Sequence, residues 1–357
     1  MFILPLLAAI LTPTETAKPA DSPDRPTIVL VVGAEGTPEF GKQFAQWTER
    51  WSKAAEQTSA KITIIGGGKE QPSATDQPAG EATDKERLRS LLETQTKAGS
   101  QSLWVVFIGH GTFDGREAKF NLRGSDVSAT ELAAWLKPFE RPMAIVNCAS
   151  ASGPFMNKLA GPGRVVITAT RSGSEHNYAR FGDHFSTAIV DPAADLDKDG
   201  QTSLLEAYLA ASHKVEEFYK EQARLATEHA LLDDNGDGLG TPANWFDGIR
   251  ATRRAKDGAA LDGSHAHQIH LVLSAREQAM PAQLRKRRDE LELAVEALRD
   301  KKAATNEDEY FDQLEPLLVE LAELYEKAAT GERGDVSPPV SNHHDQGAKP
   351  PQSTSKK

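Results

Sequence analysis

Cysteine is almost absent from this chain of 357 residues, in which Cys148 is the only one. A single cysteine excludes an internal disulfide framework and a cysteine-based zinc site. Cationic residues are also in deficit, with 41 Lys and Arg against 52 Asp and Glu and a formal net charge of -11. Because nucleic-acid phosphates need a basic face, this balance argues against a nucleic-acid partner and favours a soluble protein.

Apolar runs long enough to cross a membrane are missing as well. The N-terminal run "MFILPLLAAILT" is shorter than the roughly 20 residues that a transmembrane helix needs. A polar, proline-bearing stretch follows it, so residues 1–20 are predicted to be a signal peptide and 21–26 a linker. We therefore expect an exported protein, periplasmic or secreted, with no stable membrane span. A buried or frayed N-terminus is the alternative.

Strand-like and helix-like segments alternate between residues 27 and 274. The strand patterns are "TIVLVVGAEG", "KITIIGGG", "SLWVVFIGHG", "PMAIVNCAS" and "RVVITATRS". Repeated βαβ units predict a mostly parallel sheet with helices on both faces, which is a three-layer α/β/α sandwich. The later segment "QIHLVLS" is predicted to add a final edge strand.

The pattern changes after residue 274. Two stretches place apolar residues on one helical face, and Asn306 and Glu309 between them have capping-box spacing. Residues 275–330 are therefore predicted to form a helical hairpin, with a kink at Pro316 in its second helix. A protein partner could bind this hairpin. The polar tail, residues 331–357, is expected to be disordered.

His110 and Cys148 each close a buried strand pattern. In parallel sheets, ligands bind outside the carboxyl ends of the strands, so both side chains should reach one edge. A thiolate held against an imidazole is a nucleophile with its own general acid. The helix expected after Cys148 would lower the pKa of the thiol. The alternative is a small core cysteine and a hydrogen-bonded histidine at a strand end.

A hydrophobic block ending in His-Gly, followed by one ending in Cys, resembles the signature of the clan CD cysteine peptidases. That group includes the legumains, caspases, metacaspases and gingipains. The stretches "VLVVGAEG" and "VNCASASGPFMNKLAGPGRVVITATRSGSE" are similar to legumain-like and bacterial caspase-like members, over roughly residues 27–180. The resemblance implies a caspase-like fold and a His110–Cys148 catalytic dyad. It also implies an oxyanion hole made by the backbone N–H groups of Gly111 and Cys148.

The same resemblance places the primary specificity pocket just after the strand "RVVITAT", where Arg171 stands. With Lys42, it would favour Asp or Asn before the scissile bond through charge-assisted hydrogen bonds. A solvated loop arginine is the alternative. The chain departs from the family pattern in three places, and in the first of them Gly41, Lys42 and Gln43 stand where legumains carry an Arg-His pair that helps to build the pocket. Glu35 occupies the region where legumains carry an Asn that orients the histidine, and Asn147 precedes the cysteine where Ala is usual, so the third catalytic residue stays open.

The segment "DLDKDGQTSLLE" matches a twelve-residue calcium loop, with Gly200 at the turn. The expected ligands of a structural Ca2+ are Asp195, Asp197, Asp199, the carbonyl of Gln201 and the closing Glu206. An acidic helix-capping loop is the alternative. A second segment, "DDNGDGLG", begins in the same way but has Asn244 at the closing position. It is expected to be a turn or a partial site.

Three functions follow for the domain at 27–274. The first is a cysteine endopeptidase that hydrolyses a peptide or protein substrate. The second is a catalytically silent caspase-like module whose hairpin binds a partner protein. The third is a thiol acyl transferase or transpeptidase that uses the same dyad.

Overall fold

The structure, a computed structural model, describes residues 25–67 and 82–330. The expected signal peptide at 1–20, nearly all of the linker at 21–26 and the tail at 331–357 lie outside these residues. Within the part described, no helix combines the length and the apolar character needed to cross a membrane.

Helices and strands alternate along the first half of the chain, as the sequence predicts. The strands are β1 (Thr27–Val32), β2 (Lys61–Ile65), β3 (Leu103–Ile108), β4 (Gly111–Phe113), β5 (Ala118–Phe120), β6 (Val127–Ser128), β7 (Met143–Asn147), β8 (Arg164–Thr168), β9 (Leu231–Asp233), β10 (Thr241–Pro242), β11 (Phe246–Asp247) and β12 (Arg250–Ala251). The helices are α1 (Pro38–Thr58), α2 (Asp84–Thr94), α3 (Ala129–Leu136), α4 (Gly153–Leu159), α5 (Phe181–Ala188), α6 (Leu204–Glu221), α7 (Ser264–His267), α8 (Ala275–Ala279), α9 (Ala282–Lys301) and α10 (Glu307–Thr330).

In the described part of the chain, the main sheet has seven strands in the order β10-β9-β8-β7-β3-β1-β2. The five strands from β8 to β2 are parallel, and β9 and β10 add an antiparallel edge. The prediction of a mostly parallel sheet is confirmed. The prediction of an edge strand at "QIHLVLS" is wrong, because this segment does not join the sheet and forms one isolated bridge, from His270 to Ser203. It packs beside the start of α6 instead, where Leu204 N donates to Ile269 O at 2.7 Å.

Helices cover both faces of the sheet. Side chains alternate between the faces of a strand, so Trp104, Val106 and Ile108 of β3 point to one layer and Val105 and Phe107 to the other. The first layer contains α1, α5 and α6, and the second contains α2, α3 and α4. This is the predicted three-layer α/β/α sandwich. It also explains why the strands read as continuous apolar runs.

The C-terminal hairpin is present. Its helices α9 and α10 pack through a small core of Met280, Leu284, Leu291 and Leu324. An ion pair of 2.6 Å between Arg287 and Glu320 also joins them. Asn306 Oδ1 accepts from Asp308 N at 3.0 Å, at the start that the sequence indicates. Pro316 lies inside α10, which continues to Thr330.

Candidate active site

The imidazole of His110 lies in an aromatic cluster at the carboxyl end of β3. Ring centroids are 4.8 Å away at Phe40, 5.3 Å at Phe44 and 6.2 Å at Tyr178. Its Nε2 is 3.3 Å from the backbone oxygen of Glu35. A carbonyl only accepts, so in this hydrogen bond Nε2 carries the proton and Nδ1 holds the lone pair. Burial lowers the pKa of His110, which favours the neutral ring.

Glu35 orients His110 with its main chain and not with its side chain. The Glu35 carboxylate instead pairs with Arg123 at 2.8 Å, and this hydrogen bond lowers the pKa of the carboxyl. The structure thus offers a backbone carbonyl in the region where the resemblance called for an Asn side chain. Sequence reasoning could not find this group, because every residue carries a carbonyl.

Cys148 follows β7 directly and lies beside the end of β3. Phe107 is the register partner of Asn147, and the N–H of Cys148 donates to Phe107 O at 3.0 Å. The cysteine side chain belongs to the same core layer as Ile108, two residues before His110. The topology therefore brings both candidate residues to one end and one face of the sheet. Only 1% of Cys148 is exposed.

The surroundings of Cys148 disfavour the thiolate. Burial raises the pKa of the thiol, and the carboxylate of Glu228 raises it further. Glu228 is 2% exposed and accepts from Arg180 N at 2.7 Å and Phe181 N at 3.0 Å. Those amides begin α5, and a free helix N-terminus would stabilise a thiolate. The sequence predicts that the N-terminus of α4 lowers the pKa of this thiol, but α4 begins at Gly153 and the pKa is raised instead.

Both expected oxyanion donors are engaged within the protein. The N–H of Gly111 donates to Ser150 Oγ at 3.2 Å, and that of Cys148 donates into the sheet. In the turn between Cys148 and α4, Ala151 has a φ of 52, in the left-handed region. Its N–H donates to Glu175 O at 2.8 Å. A substrate carbonyl can use these donors only after local rearrangement.

Arg171 lines a cavity of about 290 Å³ near the start of α4, together with apolar side chains: Met156, Leu231, Leu239 and Trp245. Its Nε is 3.1 Å from Glu175 Oε1, and Glu175 also contacts His229 Nδ1 at 2.6 Å. The cation is therefore already paired. Lys42 is exposed on α1 and does not line this cavity. The structure does not bring Lys42 and Arg171 together there.

The three aspartates of the first acidic loop converge. Carboxylate oxygens of Asp195, Asp197 and Asp199 lie within 4.8 Å of one another. Asp195 accepts from Lys198 N at 2.7 Å and Gly200 N at 3.1 Å. Gly200 has a φ of 91, the left-handed region that the sharp turn of a calcium loop requires. These oxygens are the hard ligands that Ca2+ prefers.

The closing residue of that loop caps α6 in the structure. Glu206 is 1% exposed, and its Oε1 accepts from Leu196 N at 2.7 Å. Its Oε2 accepts from the N and Oγ of Ser203, both at 2.8 Å. Gln201 Nε2 donates to Asp199 at 3.0 Å. Both sequence interpretations of Glu206, as a metal ligand and as a helix cap, therefore remain compatible with its position.

The second acidic loop repeats the backbone pattern of the first. Asp233 accepts from Gly236 N at 2.8 Å and from Gly238 N at 2.5 Å. Outside the loop, Asp262 also binds it, because its Oδ1 accepts from Asp234 N at 3.1 Å. Burial raises the pKa of Asp262 to about 7. The loop forms a clamped turn.

Comparison with known proteins gives a likeness of fold at low similarity. No protein-family model matches the sequence, and no curated protein is significantly similar to it. The Drosophila initiator caspase Dronc is 12% identical, at a TM-score of 0.38, over 61% of this chain and 82% of Dronc. A Geobacter sulfurreducens protein is 10% identical, at a TM-score of 0.36, over 58% of this chain and 92% of its own. These alignments assign no role to any residue of this chain.

Gly182 tests the packing around the thiol. A Cβ added there would lie 2.7 Å from the Cβ of Cys148 and 2.6 Å from the Trp47 ring. We expect Gly182→Ala to destabilise the fold by about 1–3 kcal/mol, as overpacking does, and to lower the melting temperature by several degrees. Gly161→Ala is the control, because its added Cβ would meet nothing closer than 4.0 Å. Equal melting of the two variants would contradict the described contact.

Proposed function

We propose that the protein is a cysteine endopeptidase with Cys148 as nucleophile and His110 as general base and acid. The observation that carries this proposal is the pairing of β3 with β7, which delivers both side chains to one end and one face of the sheet. The Nε2 contact with the carbonyl of Glu35 leaves Nδ1 to take a proton. The motif resemblance supports a peptide as the substrate.

The proposed chemistry follows from these roles. His110 Nδ1 takes the thiol proton, and Cys148 Sγ attacks the carbonyl carbon of the scissile peptide. The C–N bond breaks as the imidazolium returns the proton to the leaving amine, and a thioester remains on Cys148. Water then hydrolyses the thioester and frees the enzyme. The N–H of Gly111 would hold the oxyanion once Ser150 has released it.

Substitution of the dyad tests the proposal. Cys148→Ala should abolish peptide cleavage and keep the fold, since one small buried side chain replaces another. His110→Ala should be nearly as damaging, because the members of a dyad act as a unit. His213→Ala is the matched control, because His213 is exposed on α6. Cleavage by the Cys148 variant at a tenth of the wild-type rate or more would sink this assignment.

We also propose a structural Ca2+ on the first acidic loop. The convergence of Asp195, Asp197 and Asp199 supports it. Gln201 would add its carbonyl oxygen, and Glu206 would complete the site after releasing Leu196 N. The ion would fix the entry to α6, which packs on the core layer that contains Cys148.

Calcium should raise the melting temperature, because a ligand that binds only the native state stabilises it, by about 2.7 kcal/mol at 100 times its Kd. Asp197→Asn and Glu206→Gln should remove most of the difference between melting in calcium and in chelator. That difference is the readout, since Glu206→Gln also weakens a helix cap. Asp312→Asn on α10 should leave it intact. Wild-type melting that ignores both calcium and chelator would refute the site.

Specificity is proposed to favour Asp or Asn before the scissile bond. The support is the cavity beside Arg171, which Asn157 and several apolar side chains also line, and in which Arg171 is the one charged residue. An acidic side chain would have to replace Glu175 as the partner of Arg171. Lys42, which lies elsewhere on α1, takes no part in this cavity.

Arg171→Ala should lower kcat/KM for a substrate with Asp at that position by about tenfold or more, since charge-assisted hydrogen bonds contribute about 1.5–3 kcal/mol. Cleavage after Leu should change far less. Arg224→Ala, at an exposed arginine beyond α6, is the control. Efficient wild-type cleavage after Arg or Lys would show that the pocket is acidic.

The enclosed thiol supports a second candidate, a catalytically silent module. Such a protein could bind a partner through the apolar side chains that α10 exposes: Phe311, Leu318 and Val319. Their spacing places them on one helical face. A peptide carrying a thiol-reactive group distinguishes the two, because the enzyme becomes labelled at Cys148 and the silent module does not. Export through a signal peptide at 1–20 fits either candidate.

A further inference from the structure

The thiol of Cys148 is closed to substrate in the structure, and a peptide carbonyl cannot reach a side chain that is 1% exposed. Part of the cover is α5, where Gly182 touches Cys148. That helix is part of the core, so moving it would cost the burial of its apolar side chains. The segment 171–180 leads into α5, is largely exposed or half-buried, and reaches the ring of His110 through Tyr178.

Tyr178 is the point at which this segment enters the site. Its ring stacks on Phe40 at 4.6 Å and lies 6.2 Å from His110 and 6.3 Å from Trp47. Its hydroxyl donates to Gln43 Oε1 of α1. The Trp47 ring in turn lies against Gly182, at the point of α5 that faces Cys148. The half-buried ring of Tyr178 therefore stands among the side chains that surround the proposed dyad.

A second attachment holds the same segment a few residues earlier. The backbone oxygen of Glu175 accepts from Ala151 N at 2.8 Å, in the turn that follows Cys148. The carboxylate accepts from Arg171 N at 2.9 Å and His229 N at 3.2 Å. Between the two attachments, His176 and Asn177 are exposed. Tyr178 can therefore move while the hydrogen bonds of Glu175 and the sheet stay intact.

We propose that Tyr178 is a plug, and that its ring must leave Phe40 before a substrate carbonyl can reach Cys148. The segment 171–180 then has a closed state, which the structure shows, and an open state that uncovers the thiol between His110 and the turn at Ala151. This inference rests on the proposed peptidase function for its purpose. The plug itself depends only on packing, because a buried thiol is shielded from any reagent, whether or not the protein is a peptidase.

Cys148 is the chain's only cysteine, so its rate of alkylation by iodoacetamide under native conditions reports the opening directly. Tyr178→Ala should speed alkylation by roughly tenfold or more, because removing the ring shifts the local opening equilibrium. Tyr178→Phe keeps the ring and loses the hydrogen bond to Gln43, so a smaller increase is expected. Leu225→Ala removes an exposed apolar side chain beyond α6 and should change nothing.

Melting temperature and the dependence of alkylation on low urea separate local opening from global unfolding. Should Tyr178→Ala not fold, Gln43→Ala tests the same plug from the opposite side and should also speed alkylation. A folded Tyr178→Ala protein that reacts at the wild-type rate overturns the proposal. Fast alkylation of this variant with no peptide cleavage by any form would uphold the plug and reject the peptidase. Cleavage that depends on Cys148 but is unaffected by the plug variants would support the peptidase and reject the plug.

Discussion

Parallel pairing of β3 with β7, in the register that sets Phe107 against Asn147, decides where the two candidate reactive side chains lie. One residue beyond that pair, Cys148 stands beside Ile108, with its side chain in the layer that contains α1 and α5. Two residues beyond Ile108, His110 packs on Phe40 and Phe44 of α1. A slip of one residue would send the thiol to the opposite layer, since strand side chains alternate between faces.

The surroundings of Cys148 and His110 in this structure favour their uncharged, unreactive forms. The buried thiol has a raised pKa and the buried imidazole a lowered one, so the neutral forms of both are favoured. Glu228 reinforces this, because its carboxylate occupies the first amides of α5 beside the thiol. A peptidase built on these residues would need to change the environment of Cys148 as well as its accessibility. Opening at Tyr178 admits water and substrate together, which removes part of the desolvation that opposes the thiolate.

The sequence predicts the layers better than the site. Continuous apolar runs such as "LWVVFI" identify buried parallel strands, and apolar residues on one helical face identify α9 and α10. "QIHLVLS" misled because a short apolar run cannot distinguish a strand from a segment packed beside a helix. The motifs located His110 and Cys148, but not Tyr178, Gly182 or Glu228. Those three come from segments that carry no motif, and only tertiary packing brings them to the thiol.

An acyl-enzyme is the most direct evidence for or against the peptidase. A reactive peptide ester would be mixed with the protein, quenched in acid within seconds and analysed by mass spectrometry of the intact chain and its fragments. The proposed chemistry predicts a covalent acyl group on Cys148 that decays at neutral pH and is lost in His110→Ala. Turnover of the ester with no acyl group on Cys148, or with the adduct on another residue, would contradict it.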